Sequence, residues 1–354
     1  MAVQFVWPFA ERHVLCIFPA MTVTIRIEPS GREFEAGPHE TLLDAALRAG
    51  VPVQYRCAGG ACGNCRARIV SGAVGETRFH DYVLDARARA AGQMLLCCAT
   101  AATDMVLETV IANGVDDIPQ QEIITRVSKL DALSPEVMRV HLRTPRSHTL
   151  RFLAGQYVTL EIPGLAPRSK SIASCPCNAM HLEFHIRRAP GDAFSEFVFS
   201  KLRLQQSVVL RGPHGRFTFD EDCLRPIVLI AYETGFPPIK SLIDHALKIG
   251  FNRPIHLYWM VQAGSSHYHA NYCRSLADGM ENFRYTALTG RPGNADATRD
   301  MLDVAQQIVK DYPDLSEHIV YSNGPPAILS DATRLLTAHR LDEQFLHIDQ
   351  LQRF

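Results

Sequence analysis

The sequence predicts a multidomain protein of α+β and α/β class: a small α+β domain, then a small antiparallel β-barrel, then a doubly wound parallel sheet. Three observations support this order. A glycine-rich cysteine loop lies near the start, short alternating runs separated by turn residues occupy the middle, and continuous apolar strands alternate with helical patterns at the end. A chain of 354 residues is also too long for one ordinary core, so two or three domains are expected.

The first domain is organised around three closely spaced cysteines, Cys57, Cys62 and Cys65, which are followed later by the pair Cys97-Cys98. The C-x4-C-x2-C…C spacing is that of a plant-type 2Fe–2S site. Soft thiolate ligands favour iron–sulfur clusters over sites for hard metals. A zinc site usually has two short cysteine pairs, and a disulfide framework suits small secreted chains, so both alternatives fit less well.

Secondary-structure signals around the loop are those of a small mixed domain. Alternating apolar residues at 23–27 predict a half-buried strand. Thr41 is expected to cap a helix that ends near Gly50. Further strands are expected at 69–70 and at 94–96, and the second of these leads to the fourth cysteine ligand.

Only one of the two later cysteines is expected to bind the cluster. Adjacent side chains on an extended strand point to opposite faces, so Cys97 and Cys98 are not expected to share the cluster. Glycines within the loop are expected to let the backbone approach the cluster and direct its N–H groups to the sulfurs. These glycines are Gly59, Gly60 and Gly63.

A linker is expected at 113–121, where turn residues replace the alternating pattern. The short runs that follow it predict strands of a small antiparallel barrel. They lie at 123–130, 137–142, 157–162 and 182–186.

The remainder of the chain alternates strands with helices. The continuous apolar run at 227–231 is typical of a parallel strand buried on both faces, and a helical pattern follows at 239–247. This alternation predicts an open, doubly wound sheet. Further strands are expected at 255–261, 283–288 and 319–321, with helices near 302–309 and 327–338.

Composition excludes several function classes. The chain has 36 Lys+Arg and 37 Asp+Glu, so it lacks the excess of basic residues that would indicate nucleic acid binding. No run approaches the ~18 apolar residues of a membrane span. The apolar segment 14–21 follows charged residues and lacks a cleavage site, so we reject a signal peptide and expect residues 1–20 to be an extension without a role in the fold.

The scattered cysteines predict free thiols in a reducing cytoplasm. They are Cys16, Cys175, Cys177, Cys223 and Cys273.

The cysteine motif and its flanking elements resemble the β-grasp fold of plant-type ferredoxins. With the barrel and the doubly wound domain behind it, the chain resembles the ferredoxin–NADP reductase superfamily, and more narrowly the iron–sulfur flavoprotein reductases that serve multicomponent oxygenases. The resemblance implies an N-terminal extension (1–20), a 2Fe–2S ferredoxin domain (21–112), a linker (113–121), an FAD-binding barrel (122–223) and an NAD(P)H-binding domain (224–354). It also implies Cys57, Cys62, Cys65 and Cys97 as the cluster ligands.

The run Arg168-Ser169-Lys170-Ser171 resembles the family's Arg-x-(Tyr/Phe)-Ser motif for FAD. The resemblance implies that Arg168 pairs with the flavin pyrophosphate, a use that suits a bidentate guanidinium. It implies that Ser171 donates to the flavin ring near its reactive nitrogen. Lys170 replaces the usual aromatic side chain beside the flavin.

A second phosphate motif lies downstream. The run from Gly191 to Ser195 resembles the family's Gly-x-x-x-Ser sequence at the start of a helix, where backbone N–H groups suit a pyrophosphate. The run from Gly212 to Phe217 matches the family's domain-closing sequence. The resemblance therefore implies FAD contacts at His185, Ile186, Arg187, Gly191, Ala193, Phe194 and Ser195.

The strand at 227–231 leads into a nucleotide motif. Thr234 and Gly235 match the family's Gly-Gly-Thr-Gly sequence at a strand end, where a dinucleotide binds in such sheets. Glu233 replaces a glycine of that sequence. Because its charge would repel a pyrophosphate, its side chain is expected to turn away.

A last motif, Asn323-Gly324-Pro325, resembles the family's Cys-Gly-Pro-Pro. Asn323 occupies the position of the cysteine that lies near the nicotinamide during hydride transfer. The resemblance thus implies that Asn323 and Ser171 act at the catalytic centre, with Gly324 and Pro325 beside the nucleotide.

The function implied is electron transfer from NADH to FAD, to a 2Fe–2S cluster and to a protein acceptor, an oxygenase or hydroxylase component. A flavin is required because a hydride carries two electrons and the cluster takes one. NADH is expected over NADPH because residues 262–267 contain no Arg or Lys for a 2′-phosphate. Two alternatives stay open: the same path to another acceptor, such as a dehydrase of deoxysugar synthesis, or a ferredoxin-like carrier whose reductase half has decayed.

Overall fold

A computed structural model describes residues 22–55, 58–82, 84–111, 114–146, 148–293, 296–324 and 326–350. Predictions that concern residues 1–20, Cys57 and Pro325 lie outside these ranges. The described residues form three main sheets, which correspond in order to the three predicted domains.

The N-terminal domain is built on a five-stranded mixed sheet in the order β2-β1-β7-β3-β5. Strands β1 and β7 run parallel, and β4 and β6 form a separate two-stranded ribbon. Its elements are β1 (Val23–Glu28), β2 (Arg32–Ala36), α1 (Leu42–Arg48), β3 (Arg66–Ser71), β4 (Val74–Thr77), α2 (Ala86–Ala90), β5 (Gln93–Leu95), β6 (Ala99–Ala101) and β7 (Met105–Glu108).

Helix α1 begins and ends as the sequence predicted. The Thr41 hydroxyl accepts a hydrogen bond from the Asp44 amide at 3.1 Å, which caps the first turn. Gly50 follows the C-cap with a φ of 77°, the left-handed conformation that glycine adopts most easily at this position. The apolar stripe between them is buried in the domain core, and this places the cysteine loop directly after a rigid element.

The middle domain is a six-stranded antiparallel sheet in the order β11-β10-β13-β8-β9-β12. Its two edges approach one another where the Ala173 amide donates to the Glu183 carbonyl at 2.8 Å, so the barrel is nearly closed, as predicted. Its elements are β8 (Gln121–Ser134), β9 (Val137–Arg143), β10 (Tyr157–Glu161), β11 (Arg168–Ser171), β12 (His181–Arg187), α3 (Ala193–Ser200) and β13 (Ser207–His214).

The last domain has a five-stranded parallel sheet in the order β16-β15-β14-β17-β18. Helices cover both faces: Leu229 packs in one core with Phe236, whereas its neighbour Ile230 packs in the other with Met301. The doubly wound fold is therefore confirmed. Its elements are β14 (Ile227–Tyr232), α4 (Phe236–Lys248), β15 (Ile255–Val261), α5 (Ala270–Gly279), β16 (Phe283–Thr289), α6 (Ala297–Asp311), β17 (Ile319–Gly324), α7 (Pro326–Ala338) and β18 (Leu346–Gln350).

The N-terminal domain contacts both of the others. Thr149 of the barrel domain donates to the Tyr55 hydroxyl at 3.2 Å. Arg32 of β2 forms an ion pair with Glu221 at the entry to the last domain. Gly50 lies so close to the end of α4 that a Cβ there would meet Ile249 at 2.8 Å. The domain that carries the cysteine loop is thus packed against the barrel and the doubly wound domain.

The prediction of free thiols outside the cluster is wrong for one pair. Cys175 and Cys177, on either side of Pro176, are joined in a disulfide. The sequence interpretation treated these two cysteines as scattered. Two residues apart in the chain, they are close enough to bond to each other. Cys223 and Cys273 are free thiols, as predicted.

Within the described ranges, no helix combines the length and the apolar character that crossing a membrane requires.

Candidate functional site

The cysteine loop and the turn after β5 meet at the edge of the N-terminal domain. Cys65 and Cys97 are buried, and their sulfur atoms lie 3.2 Å apart. Cys62 is partly exposed, and its sulfur accepts the Asn64 amide at 3.5 Å. Three of the four predicted ligands are therefore described; Cys57 lies outside the described residues. Backbone N–H groups that face sulfur and sulfurs at this spacing suit a 2Fe–2S cluster.

The prediction that Cys97 and Cys98 point to opposite faces is wrong. Residues 96–98 form a turn closed by the Cys98 amide, which donates to the Leu95 carbonyl at 3.0 Å. In a turn the alternation of a strand no longer holds, and the Cys97 and Cys98 sulfurs lie 3.5 Å apart. Two neighbouring thiols are thus available at the position of the fourth ligand.

Glycines shape the loop for a reason that the sequence did not reveal. Gly60 has a φ of 78°, and a Cβ there would lie 2.8 Å from the Cys98 sulfur. Gly63 has a φ of 74° and packs against the ring of Tyr82. Both positions favour glycine for two reasons: the backbone is left-handed, and a neighbouring side chain leaves no space for a Cβ.

Strand β11 carries the predicted flavin motif. Its backbone pairs with β10, so that Lys170 lies opposite Val158 and Ser171 opposite Tyr157. The Lys170 ammonium lies 5.9 Å from the centroid of the Phe194 ring, and burial lowers the pKa of Lys170. The structure thereby brings together two of the residues predicted to contact FAD.

Asp192 is the N-cap residue of α3 and lies beside the flavin motif. Oδ1 accepts from Arg168 Nη2 at 2.8 Å, and Oδ2 accepts the Ser195 amide at 2.9 Å at the start of α3. Burial raises the pKa of Asp192, but the hydrogen bonds from Ser195 and Arg168 outweigh it, so the pKa lies below its usual value. The arginine and the helix start therefore already bind one carboxylate, as a site built for a phosphate would.

His185 belongs to a buried network between the barrel and the last domain. Nε2 lies 2.7 Å from Glu183 Oε1, and Nδ1 lies 3.2 Å from the Tyr268 hydroxyl. Lys240 of α4 lies 3.5 Å from Glu183 and 2.8 Å from Asp244. Burial raises the pKa of Glu183, but the His185 hydrogen bond and Lys240 bring it down to about 2.

Burial also lowers the pKa of His185, so the pair consists of a neutral imidazole and an ionised carboxylate. Lys240 supplies the compensating charge. The Ile186 side chain lies in the barrel core and is 1% exposed. Sequence reasoning missed Glu183 and Lys240, since no motif links two charged residues so far apart in the chain.

Glu233 stands at the end of β14 with a φ of 52°, a left-handed conformation that is unusual for this residue type. Its carboxylate forms an ion pair with Arg187 of the barrel and accepts the Gln262 amide at 2.5 Å. Its carbonyl accepts from Trp259 Nε1 at 3.0 Å. Arg187 also donates to Ser265 at 3.2 Å. The Glu233 side chain thus points towards the barrel and the loop after β15.

Asn323 lies at the end of β17 and faces the turn after β14. Its Nδ2 donates to Asp349 Oδ2 at 2.7 Å, while its buried Oδ1 has no hydrogen-bond partner among the described residues. A Cβ at Gly235 would overlap Asn323 Oδ1 and lie 3.1 Å from the Asn323 carbonyl oxygen, so this glycine packs against both. A buried acceptor without a donor, at the carboxyl ends of parallel strands, suits a ligand amide.

Protein-family models match three consecutive parts of the chain. A 2Fe-2S iron-sulfur cluster binding domain matches residues 25–103, an oxidoreductase FAD-binding domain residues 125–219, and an oxidoreductase NAD-binding domain residues 229–334. The predicted cofactors, a 2Fe–2S cluster, FAD and NAD, are therefore confirmed at the level of the domains that bind them.

Relatives along nearly the whole chain are reductases. The CDP-6-deoxy-L-threo-D-glycero-4-hexulose-3-dehydrase reductase of Yersinia pestis is 31% identical over 323 residues, which cover 91% of this chain and 96% of that protein. The reductase component 1 of terephthalate 1,2-dioxygenase from Comamonas sp is 29% identical over 93% of this chain and 97% of its own length. The propane 2-monooxygenase reductase component of Gordonia sp. is 29% identical over 94% of this chain and 97% of its own length.

Two solved structures resemble this chain along nearly its whole length. The crystal structure of the Amycolatopsis cytochrome P450 reductase GcoB is 27% identical, with a TM-score of 0.59 over 94% of this chain and 99% of that one. The ferredoxin reductase in carbazole 1,9a-dioxygenase is 20% identical, with a TM-score of 0.56, and supports the fold alone. The chain therefore belongs to the iron–sulfur flavoprotein reductases, oxidoreductases in which a 2Fe–2S domain, an FAD-binding barrel and an NAD-binding domain transfer electrons within one chain.

Proposed function

We propose that this reductase takes electrons from NADH and delivers them through FAD and the 2Fe–2S cluster to a separate protein, the oxygenase or hydroxylase component of a cytoplasmic enzyme system. FAD, when bound, accepts a hydride and can release electrons singly, which matches a two-electron donor to a one-electron cluster. The observation that carries the proposal is the docking of the cysteine domain on the barrel domain through Tyr55–Thr149 and Arg32–Glu221, and on the end of α4 through Gly50 and Ile249.

The chain's own residues are assigned to three tasks. Cys57, Cys62, Cys65 and Cys97 hold the cluster, as their spacing indicates. Arg168 and the start of α3 bind the flavin pyrophosphate, with Asp192 giving way to it. Asn323 offers its Oδ1 to a donor of the nicotinamide group, and its Nδ2 is held by Asp349. Further contacts with the two nucleotides are proposed for Ser169, Lys170, Ser171, His185, Ile186, Arg187, Gly191, Ala193, Phe194, Ser195, Thr234, Gly235, Gly324 and Pro325.

A second candidate acceptor is a sugar dehydrase. The relative from Yersinia pestis serves a hexulose-3-dehydrase and matches over nearly the entire chain. The two candidates share the electron path and differ only in the protein that receives the electrons. Purified oxygenase and dehydrase components encoded beside this chain, assayed for NADH-dependent turnover, distinguish them.

The test of the electron path is Cys62→Ser. Because four thiolates hold the cluster, removal of one from the centre of the loop should abolish or destabilise the cluster. The flavin and nucleotide residues all follow the linker, so NADH–ferricyanide activity should persist while reduction of cytochrome c is lost. A variant that binds FAD and yet loses ferricyanide reduction would show that the cluster is needed for flavin turnover. A variant that keeps full cytochrome c reduction would show that the cluster is not the exit.

Bleaching of the flavin absorption by NADH, recorded anaerobically in the wild type, tests the remaining alternative. A chain whose reductase half has decayed would leave the spectrum unchanged. Lys170, Glu233 and Asn323, which replace the family's usual residues, make this control necessary.

A further inference from the structure

The disulfide between Cys175 and Cys177 lies outside the cluster and outside the residues assigned to the two nucleotides. The pair follows β11 directly, and Pro176 stands between the two cysteines in a short turn of 3₁₀ helix. Their Cα atoms lie 5.2 Å apart, within the range that a disulfide bridges. The chain thus has a second sulfur centre of its own.

This sulfur centre sits where the three domains meet. A small cavity at the junction is lined by residues from each of them: Gly50 and Val51 after α1, Leu153 and Cys177 of the barrel domain, and Phe219 and His245 at the last domain. Cys175 is 7% exposed, whereas Cys177 is partly exposed. One sulfur is therefore buried against the interface, and the residue carrying the other is more open to a small reagent.

A chain of polar contacts leads from the buried sulfur across the interface. The Cys175 sulfur lies 3.8 Å from His245 Nδ1. His245 Nε2 lies 2.8 Å from Glu221 Oε1, and Glu221 forms an ion pair with Arg32 of the N-terminal domain. A chemical change at the Cys175 sulfur therefore reaches the contact between the N-terminal domain and the last domain through one imidazole and one carboxylate.

We propose that Cys175 and Cys177 form a reversible thiol–disulfide site whose state adjusts the docking of the N-terminal domain. Oxidation converts two thiols and one small-molecule disulfide into the Cys175–Cys177 disulfide and two small thiols; each protein thiol loses a proton and an electron, and the small disulfide takes up both pairs. Reduction by a small thiol is the reverse exchange. In a reducing cytoplasm, disulfides of this kind are usually transient and regulatory.

The two states differ in what His245 can bind. A reduced Cys175 carries an S–H group that donates to Nδ1, which fixes the tautomer with a proton on Nε2 directed at Glu221. The disulfide has no proton to donate, so Nδ1 loses this hydrogen bond and only the contact with Glu221 holds the proton on Nε2. Reduction thereby strengthens the His245–Glu221 bond and changes how Glu221 shares its carboxylate with Arg32.

Thiol titration of the cofactor-loaded protein tests the site itself. The protein is equilibrated anaerobically with mixtures of reduced and oxidised glutathione. It is then denatured in the presence of N-ethylmaleimide, which alkylates free thiols, and its peptides are mapped by mass spectrometry. The peptide that contains both cysteines should change from two alkylated thiols to an unlabelled, internally bonded form as the mixture becomes more oxidising. Cys223 and Cys273 should stay alkylated throughout. Two alkylated thiols at every ratio, a bond that survives excess thiol, or only glutathione adducts would overturn the proposal.

Amide hydrogen exchange tests the coupling and does not depend on the proposed function. In the wild type, exchange in segments 29–36 and 218–223, which flank the Arg32–Glu221 pair, should differ between the oxidised and the reduced protein. Cys177→Ser cannot form the bond and keeps the Cys175 thiol, so it should match the reduced wild type in both buffers. Glu221→Gln should abolish the difference although its cysteines still titrate. Identical exchange in the two states of the wild type would refute the coupling.

Discussion

Arg168 Nη2 lies 2.8 Å from Asp192 Oδ1, so the arginine assigned to the flavin pyrophosphate is already paired with a carboxylate of its own domain. Both side chains are about a quarter exposed, which leaves the pair open to competition. A pyrophosphate that binds the same side of the Arg168 guanidinium competes with this carboxylate. Asp192 therefore sets a cost on FAD binding that the sequence motif alone does not reveal.

Asp192→Asn should tighten FAD binding about tenfold, or about 1.4 kcal/mol. Asparagine caps a helix as well as aspartate does, so α3 keeps its first turn while the competing charge is removed. Fluorescence titration of the flavin-free protein with FAD measures the effect. Glu196→Gln, on the same helix and paired with Arg188, is the matched control and should leave the Kd unchanged. Equal or weaker binding by the Asp192 variant would contradict this account.

Cys97→Ser should abolish the visible absorption and the electron paramagnetic resonance signal of the reduced cluster, whereas Cys98→Ser should keep both. The reason is geometric: the Cys97 sulfur is 3.2 Å from that of Cys65. The neighbouring Cys98 sulfur makes each variant a control for the other. A cluster lost only in Cys98→Ser would assign the fourth ligand to Cys98.

The wild type should have a higher kcat/KM for NADH than for NADPH. Residues 262–267 carry no Arg or Lys, and Arg187, which donates to Ser265 of this loop, is paired with Glu233 and Glu136. Glu233→Gln frees Arg187 from one carboxylate, so the ratio should shift about threefold towards NADPH, in keeping with a partly exposed charge pair. A wild-type preference for NADPH would contradict the first expectation, and an unchanged ratio in the variant would show that Arg187 does not face the second nucleotide.

Asp349 should make the last domain less stable as the pH rises. Burial raises its pKa to about 6 against the opposing hydrogen bond from Asn323, whereas an unfolded aspartate titrates near 3.8. Folding therefore takes up protons between these values, and stability falls as the pH rises through that window and then levels off. The upper limit of the loss is about 3 kcal/mol.

Asp349→Asn removes the charge and keeps an oxygen for Asn323. Its Tm should exceed that of the wild type at about pH 8, and the difference should shrink towards pH 4. Fluorescence of Trp259 reports on this domain, since the side chain is fully buried in it. A constant difference across this pH range would mean that the carboxyl does not titrate there.

Elements with a strong apolar period were predictable from the sequence. Strand β15 has the predicted bounds, because each of its residues is buried between two helical layers. Strand β11 was seen only as a motif, since Arg-Ser-Lys-Ser has no apolar alternation and is extended because it pairs with β10. Helix α5 was missed because its apolar stripe is short: Tyr272, Leu276 and Ala277 are only partly buried, and Cys273 is its one buried residue.

The candidate site was predictable where motif and chemistry coincide, as in the cysteine loop. It was not predictable where geometry depends on a turn or on distant partners. Cys98 was assigned to the wrong face because the strand ends at Leu95. Asp192 lies within the Gly191–Ser195 motif, which was interpreted through its glycine and serine alone. Its pairing with Arg168 arises only when α3 packs beside β11.

The docking of the N-terminal domain through Tyr55–Thr149 has a kinetic meaning. Partners joined in one folded body meet at an effective concentration that dilution of the protein cannot lower. Electron delivery to the cluster should therefore be first order in this chain, while delivery to the outside acceptor is second order. When both proteins are diluted together, only the second step slows, and the concentration at which turnover begins to fall measures the encounter with the acceptor alone.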